Sequence, residues 1–274
     1  GPHMEELRER VWNGTINVEV VVSDAIVVPN TTLADKSCHI VMLRDAYLGF
    51  YLPTVVRKLA DTIKVPYESD YRNWWFEYNG EGVPWEYPCG VLFDLLNKKR
   101  KKQGNELDDT SLQMWELQLC HGDKYPRGIL PLVDGHSQIK DYWRHQWKQA
   151  CFILNGSAKR IMSLSIPDFE NFWVSILSRN RSDFMAVRSK LFSMNKAKSL
   201  PVRVWTSNYA VLQPTVPVTD KELSVAELLD SIKLSSDGVK SVIIQGIDVS
   251  IEDNIFELYD IFASIDGFLY LVTK

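Results

Sequence analysis

Cysteine and histidine are the residues of this sequence that could perform nucleophilic catalysis. His121 directly follows Cys120, and Cys151 lies three residues after Lys148. Neighbouring residues point their side chains in different directions, so adjacency alone does not make Cys120 and His121 a thiol–base pair. Cys120 ends an apolar segment that we expect to be helical, and Cys151 borders another apolar stripe, so burial is the favoured interpretation of both thiols. A cysteine-thioester transferase that uses Cys120 or Cys151 stays the alternative hypothesis.

The sequence contains no standard motif for other enzymatic chemistry. It lacks the G-x-S-x-G turn of serine hydrolases and the glycine-rich loops that bind phosphates and dinucleotides. His121, His136 and His145 are not spaced as metal ligands, and the four cysteines form no Cys-x-x-Cys pair. Such scattered thiols are typical of an intracellular protein. We therefore predict no catalytic residue, no bound metal ion and no cofactor.

Lys148 is the nucleophile whose position is most informative. The longest predicted helix runs from about Ser137 to Leu154. One face of this helix is apolar and carries Ile139, Trp143, Trp147, Ala150 and Leu154. Taking about 100° per residue, Lys148 lies on the side away from that face, so we expect its amine to be exposed. An exposed lysine on a rigid helix can accept an acyl group that a partner enzyme has activated, and an ordinary surface lysine is the other interpretation.

Composition places the chain among ordinary globular proteins. Of its 274 residues, 45% are hydrophobic and 24% are charged, which excludes the disordered, collagen-like and coiled-coil classes. No run of residues is apolar and long enough for a transmembrane helix. Residues 1–4, Gly-Pro-His-Met, are typical of the remnant of a cleaved purification tag, and the charged residues after them do not resemble a signal peptide.

The net charge of −4 conceals three segments of alternating sign. Residues 1–135 carry 15 basic and 20 acidic residues, residues 136–205 carry 12 and 4, and residues 206–274 carry 4 and 11. The positive middle segment could face an anionic membrane or an acidic partner, and a merely solvated surface is the third interpretation. The candidate membrane-binding cations of this segment are Lys159, Arg160, Arg179, Arg181 and Arg188.

Five consecutive cations occupy positions 98–102. Such a run is found in nuclear-localisation and nucleic-acid-binding sequences. Here no aromatic residues are interleaved with the cations, and the surrounding segment is acidic overall. Because like charges repel one another, we expect a solvated loop and no nucleic-acid partner.

The predicted order of helices and strands is the same at the two ends of the chain. Each end is predicted to form two strands, a helix and two further strands, which is typical of the ubiquitin-like β-grasp fold. The predicted elements are strands at 12–22, 38–48, 74–78 and 90–96 with a helix from Pro53, and strands at 202–206, 213–218, 239–247 and 268–272 with a helix after Ser224. Residues from about 110 to 195 are predicted to be helical. We therefore expect an α+β protein with a short N-terminal helix, in which ubiquitin-like domains at 5–108 and 198–274 flank a helix-rich domain at 109–197.

Five segments of the sequence resemble the autophagy protein 5 family. The most specific is the central motif at 143–157, WRHQWKQACFILNGS. The others are IMSLS at 161–165, VPW at 83–85, PCGVLFD at 88–94 and DGFLY at 266–270. Because these segments lie in all three parts of the chain, the sequence is similar to fungal members of the family along its length. The resemblance implies two ubiquitin-like domains that flank a helix-rich domain.

The resemblance also implies a function. Lys148 would form an isopeptide bond with the C-terminal glycine of autophagy-related protein 12, a ubiquitin-like modifier that autophagy-related protein 10 transfers. The conjugate would bind the coiled-coil protein 16 of autophagy. With protein 3 and protein 8 it would act like an E3 ligase, promoting the lipidation of protein 8 with phosphatidylethanolamine. The chain itself would be a substrate and scaffold rather than an enzyme, cytoplasmic and peripheral at the preautophagosomal structure membrane.

Overall fold

The computed structural model describes residues 2–97, 113–219, 221–234, 238–239 and 241–274. The cations at 98–102, for which the sequence predicts a solvated loop, lie outside these residues. The chain folds as two compact units, one formed by Gly1–Trp12 with Tyr142–Lys274 and the other by Asn13–Asp141. Each unit contains one five-stranded sheet.

The described residues form helices and strands with the following bounds. The helices are α1 (Pro2–Trp12), α2 (Leu52–Leu59), α3 (Cys89–Leu96), α4 (Gly135–Asn155), α5 (Lys159–Met162), α6 (Ile166–Leu177), α7 (Arg181–Leu191), α8 (Val225–Ser231) and α9 (Ile255–Phe262). The strands are β1 (Thr15–Val22), β2 (Ser37–Leu43), β3 (Trp74–Tyr78), β4 (Glu81–Val83), β5 (Met114–His121), β6 (Val202–Trp205), β7 (Val211–Leu212), β8 (Val242–Ile244), β9 (Ile247–Val249) and β10 (Leu269–Thr273).

The sheet of the Asn13–Asp141 unit has the strand order β2-β1-β5-β3-β4. β1 and β5 pair in parallel at its centre, with Val18 opposite Trp115, and the other pairs are antiparallel. Along β1, alternate residues from Ile16 to Val22 are buried, which is the pattern of a strand with one face on a core. The strand predicted at 12–22 is therefore present from Thr15, because Trp12 still belongs to α1.

The central strand β5 lies where the sequence predicted a helix. Trp115 and Leu119 are spaced as on one helical face, but Trp115, Leu117 and Leu119 are all buried while the residues between them are exposed. This alternation has the period of a strand. Residues 114–121 therefore belong to the first sheet and not to the helix-rich segment that was expected from residue 109.

The segment predicted as a strand at 90–96 is instead the helix α3. Six of its eight residues are buried, so the run is apolar on most sides and has no periodicity that separates a helix from a strand. α3 packs against β1 and β2. It therefore contributes to the core of the first sheet without extending that sheet.

The second sheet has the strand order β7-β6-β10-β8-β9, with β6 and β10 parallel and the other pairs antiparallel. The single strand predicted at 239–247 is in fact two, because Gln245 and Gly246 adopt positive φ angles of 52° and 77° and turn the chain between β8 and β9. The strand predicted at 213–218 is wrong; β7 ends before it, and Pro214 and Pro217 lack the N–H groups that a ladder requires.

Two helical features were also not predicted correctly. The helix α9 was missed, although Asn254 caps it by accepting a hydrogen bond from the Glu257 N–H. The helix α7 is capped not by Ser182, a residue of a type that often caps helices, but by Asn180, whose side chain accepts a hydrogen bond from the Asp183 N–H. Both caps are asparagines in a polar stretch, where several residues could serve equally.

A buried ion pair joins Arg44, the residue after β2, to Asp94 on α3. The guanidinium of Arg44 donates to the two carboxylate oxygens of Asp94 over 2.9 and 3.2 Å, and the two residues are only 6% and 2% exposed. Such a pair is costly to break, because the remaining charge stays away from water.

We expect Asp94→Ala to lower the free energy of unfolding by about 3–5 kcal/mol, because Arg44 then remains buried without its partner. Replacing both residues, Arg44→Met with Asp94→Leu, should restore most of this loss, since no charge is left in the core. Urea unfolding followed by tryptophan fluorescence measures both variants. If Asp94→Ala lowers the free energy of unfolding by less than about 1 kcal/mol, as is typical when an exposed ion pair is broken, the pair does not behave as a buried one.

Candidate functional site

Two tryptophans fix the position of the helix that carries Lys148. The indole N–H groups of Trp143 and Trp147 both donate to the carbonyl oxygen of Ile265, over 2.9 and 2.7 Å. Both indoles are fully buried, as is the apolar face predicted for α4. A buried indole N–H without an acceptor is costly, so both bonds hold α4 in one rotation against the residues before β10.

The segment before β10 approaches α4 closely because Gly267 has no side chain. Gly267 has a φ of +83°, and a Cβ at this position would lie 2.8 Å from the Cβ of Ala150 and 3.0 Å from the ring of Trp147. Any other residue would meet both steric and backbone strain. The close approach brings the Ile265 carbonyl within reach of the two indoles.

Aromatic side chains of α6 and α7 pack on the same tryptophans. The ring centroids of Trp143 and Trp147 lie 4.9 and 5.2 Å from that of Phe172, and Phe172 lies 5.0 Å from Phe184. Trp173 also contacts Trp143, at 5.3 Å. These rings give α4 large buried contacts in addition to its hydrogen bonds.

Lys148 lies at the edge of the buried face of α4. Its exposure is intermediate, where the helix geometry predicted an exposed amine. The difference arises because Cys151, three residues after Lys148, is buried as well, at 0% exposure, so the buried face extends beyond the apolar stripe toward Lys148. A lysine in such a place can pack its methylene chain on the protein while its amine reaches water.

Three exposed residues of α4 surround Lys148. Arg144, His145 and Phe152 lie four residues before, three before and four after it, which are the neighbouring positions on a helix surface. Phe152 is 62% exposed, a large fraction for an aromatic residue. The surroundings of Lys148 therefore offer a cation, an imidazole and an apolar ring to an incoming protein.

An arginine that is distant in sequence contacts the same helix. Arg203 on β6 is buried and donates hydrogen bonds to the side-chain oxygens of Gln146 and Gln149, which lie on either side of Lys148 in sequence. No local pattern indicates this contact, since 57 and 54 residues separate Arg203 from the two glutamines.

Three of the four cysteines, Cys89, Cys120 and Cys151, are buried and poorly suited to catalysis. Burial raises the pKa of both Cys120 and Cys151 to about 12, and it raises that of Cys89 further. The reactive thiolate is therefore scarce at neutral pH. Cys120 lies on a strand and not at a helix end as expected, so His121 points to the opposite face of the sheet.

Two of the candidate membrane-binding cations contact the N-terminal helix. The guanidinium of Arg179 lies 4.1 Å from the centroid of the Trp12 ring and donates to the Trp12 carbonyl. Arg181 forms an ion pair with Glu5 at 2.5 Å. These contacts give both arginines a role in holding α1 within its unit.

The other three candidate cations differ in exposure. Arg188 lies over the ring of Phe192 at 4.6 Å, and desolvation lowers its pKa. Lys159 and Arg160, at the start of α5, are both exposed. Of the five candidate cations, Lys159 and Arg160 are therefore the most accessible for the predicted membrane contact.

The described part of the chain contains neither a metal-binding cluster nor a membrane-spanning helix. No three histidine, cysteine, aspartate or glutamate residues among those described are grouped closely enough to hold a metal ion. Within the same residues, no helix is both long and apolar enough to cross a membrane.

Comparison with known proteins gives three matching family models that follow one another along the chain. They are "Autophagy protein ATG5, UblA domain" at residues 11–120, "Autophagy protein ATG5, alpha-helical bundle region" at 136–194 and "Autophagy protein ATG5, UblB domain" at 199–273. The α+β fold with two ubiquitin-like domains and a helix-rich domain between them in sequence is thereby confirmed.

Individual relatives match over nearly the whole chain. Autophagy protein 5 of Kluyveromyces lactis is 58% identical over 99% of this chain and 100% of its own length. Autophagy protein 5 of Saccharomyces cerevisiae is 32% identical over 98% of this chain and 95% of its own. The crystal structure of Kluyveromyces marxianus Atg5 superposes with a TM-score of 0.91 at 94% identity, covering 98% of this chain and 100% of that one. The chain belongs to the autophagy protein 5 family.

Proposed function

We propose that this autophagy protein is a scaffold that accepts the ubiquitin-like modifier autophagy-related protein 12 on Lys148. The observation that carries the proposal is the setting of Lys148 on a helix fixed by two buried hydrogen bonds, from Trp143 and Trp147 to the Ile265 carbonyl. Lys148 lies at the water-facing edge of that helix, among the exposed Arg144 and Phe152. A rigidly held amine that a second protein can reach is what an acceptor needs.

The proposed reaction is the aminolysis of a thioester. The neutral amine of Lys148 attacks the carbonyl carbon of the modifier's C-terminal glycine, which is joined to a cysteine of the conjugating enzyme, autophagy-related protein 10. The C–N bond forms, the C–S bond breaks, and the cysteine leaves as a thiolate while the amine loses a proton. Activation of the acyl group takes place on the enzyme, so this chain contributes the nucleophile and its orientation.

The conjugate would then bring the lipidation machinery together. We propose that it binds the coiled-coil protein 16 and, like an E3 ligase, promotes transfer of protein 8 from protein 3 to phosphatidylethanolamine. Two ubiquitin-like domains offer separate protein-binding surfaces for such an assembly. The exposed Lys159 and Arg160 would place the complex at the preautophagosomal structure membrane, where anionic lipids attract cations.

A thioester transferase that uses Cys120 or Cys151 is the weaker candidate. A transfer enzyme needs an accessible thiol that is largely ionised near neutral pH. Both thiols are buried, and burial raises the pKa of each to about 12. The scaffold proposal requires nothing of either thiol.

Replacing Lys148 tests the acceptor directly. We expect Lys148→Arg to abolish conjugation in a reconstituted reaction, because a guanidinium keeps the charge and most of the bulk but is not a nucleophile at neutral pH. Conjugate is followed by its mass on a denaturing gel. Lys140→Arg, on the same helix, is the matched control and should conjugate like the wild type. Conjugation of Lys148→Arg at the wild-type rate would exclude this acceptor.

The cysteines distinguish the two candidate functions. We expect the double variant Cys120→Ala and Cys151→Ala to form conjugate within about twofold of the wild-type rate, since buried, protonated thiols take no part in the reaction. The wild-type protein should likewise form no adduct that a thiol reagent removes. Loss of conjugation in a folded double variant, or a thiol-labile adduct, would instead favour the transferase.

Charge reversal at α5 tests the membrane contact. We expect Lys159→Glu with Arg160→Glu to weaken binding to anionic vesicles by at least about tenfold, at ~1 kcal/mol for each cation near the surface. Flotation or sedimentation at several salt concentrations measures the binding, which should weaken for the parent as salt rises. Lys124→Glu with Arg127→Glu makes the same charge change at exposed positions elsewhere. Salt-independent binding of the parent, or equal losses in both variants, would contradict the proposal.

A further inference from the structure

A buried arginine occupies the second ubiquitin-like domain next to the acceptor helix. Arg203 on β6 is 8% exposed, and its guanidinium lies 3.6 Å from the ring centroid of Phe268. It donates to the Tyr270 hydroxyl at 3.1 Å, and that hydroxyl donates to the fully buried carboxylate of Asp266 at 2.6 Å. An acidic group thus lies close to the arginine, as a buried cation requires.

The same guanidinium reaches α4 through one nitrogen. Its Nη2 donates to the side-chain oxygen of Gln146 at 2.6 Å and to that of Gln149 at 3.2 Å. Residues three apart lie on the same flank of a helix, so Arg203 holds one turn of α4 from the side. Lys148 lies within this turn.

We infer that Arg203 is a positioning residue for Lys148: it fixes the turn of α4 that sets where the acceptor amine lies. The inference rests on the proposed function, in which Lys148 is the acceptor. The two indoles hold the buried face of α4, and Arg203 holds its flank through a planar group with several donors in fixed directions. A displacement of about 1 Å can cost a reaction up to ~100-fold in rate, so a small rotation of this turn would slow transfer.

The simplest alternative is that Arg203 only stabilises its own sheet. The chain offers a matched comparison, because Arg203 also donates through Nε to Gln213, at the same 3.2 Å as to Gln149. Gln149 and Gln213 are both exposed, but Gln149 belongs to α4 whereas Gln213 follows β7. Gln149→Ala and Gln213→Ala each remove one hydrogen bond of Arg203, and only the first loosens the acceptor helix.

The third variant, Gln146→Met, excludes direct contact with the enzyme as an explanation. Gln146 is 4% exposed, so a conjugating enzyme cannot touch its side chain. Methionine keeps the length of the side chain and removes the acceptor of the 2.6 Å bond. Gln149→Ala tests the contact between Arg203 and α4 at an exposed residue, and Gln146→Met tests it at a buried one. Thermal melting of all three variants identifies an assay temperature at which each is folded.

The experiment measures single-turnover transfer of the modifier from preformed enzyme thioester to the full chain. The concentration of the full chain is varied, so that the maximal rate and the concentration that gives half of this rate are obtained separately. We expect Gln146→Met and Gln149→Ala to lower the maximal rate by about tenfold with half-saturation unchanged, and Gln213→Ala to stay within about twofold of the wild type.

Three results would overturn the inference. The first is an equal loss of maximal rate in Gln149→Ala and Gln213→Ala. The second is an unchanged maximal rate in Gln146→Met at a temperature where this variant is folded. The third is a change in the half-saturating concentration alone, with the maximal rate unaffected. Lys148→Arg in the same assay separates the two proposals. If that variant still accepts the modifier, the proposed function fails; if it does not, while Gln146→Met reacts normally, only the positioning role of Arg203 fails.

Discussion

The carbonyl of Ile265 accepts two indole hydrogen bonds from one helix, and the arrangement of the helix-rich part depends on this shared acceptor. A carbonyl oxygen has two lone pairs, so one buried group can satisfy both Trp143 and Trp147. The arrangement requires that the segment before β10 lie against α4, which only a residue without a Cβ permits at Gly267. One glycine, one carbonyl and two indoles thus join the second ubiquitin-like domain to the helix that carries Lys148.

In the proposed reaction, this interaction supplies what the protein itself contributes, which is a lysine held in one place. As we propose it, a conjugating enzyme supplies the activated acyl group, so the acceptor has to supply a lysine whose position varies little. The buried ring cluster around Phe172 and the flank contact of Arg203 add to the same restraint. The thiols of Cys120 and Cys151, by contrast, are packed in the core, where burial raises their pKa and suppresses their reactivity.

Local patterns predicted the elements whose periodicity is strong. The apolar face of α4 and the alternation along β1 each show one period, so these two elements were predicted correctly, and the family models confirm the predicted ubiquitin-like fold. The prediction for α3 was wrong because this segment is apolar on most sides. The prediction for β5 was wrong because the spacing of Trp115 and Leu119 fits the period of a helix as well as that of a strand. Arg203 could not be found from sequence at all, since an isolated arginine in a strand gives no sign of partners more than 50 residues away.

Above all, we propose that the modifier is attached to the side chain of Lys148. Mass spectrometry of proteolytic peptides from the reconstituted wild-type conjugate tests it most directly. We expect one branched peptide in which the modifier's C-terminal glycine is joined to the side-chain nitrogen of Lys148. A branched peptide at another lysine, with Lys148 recovered unmodified from the purified conjugate, would contradict it.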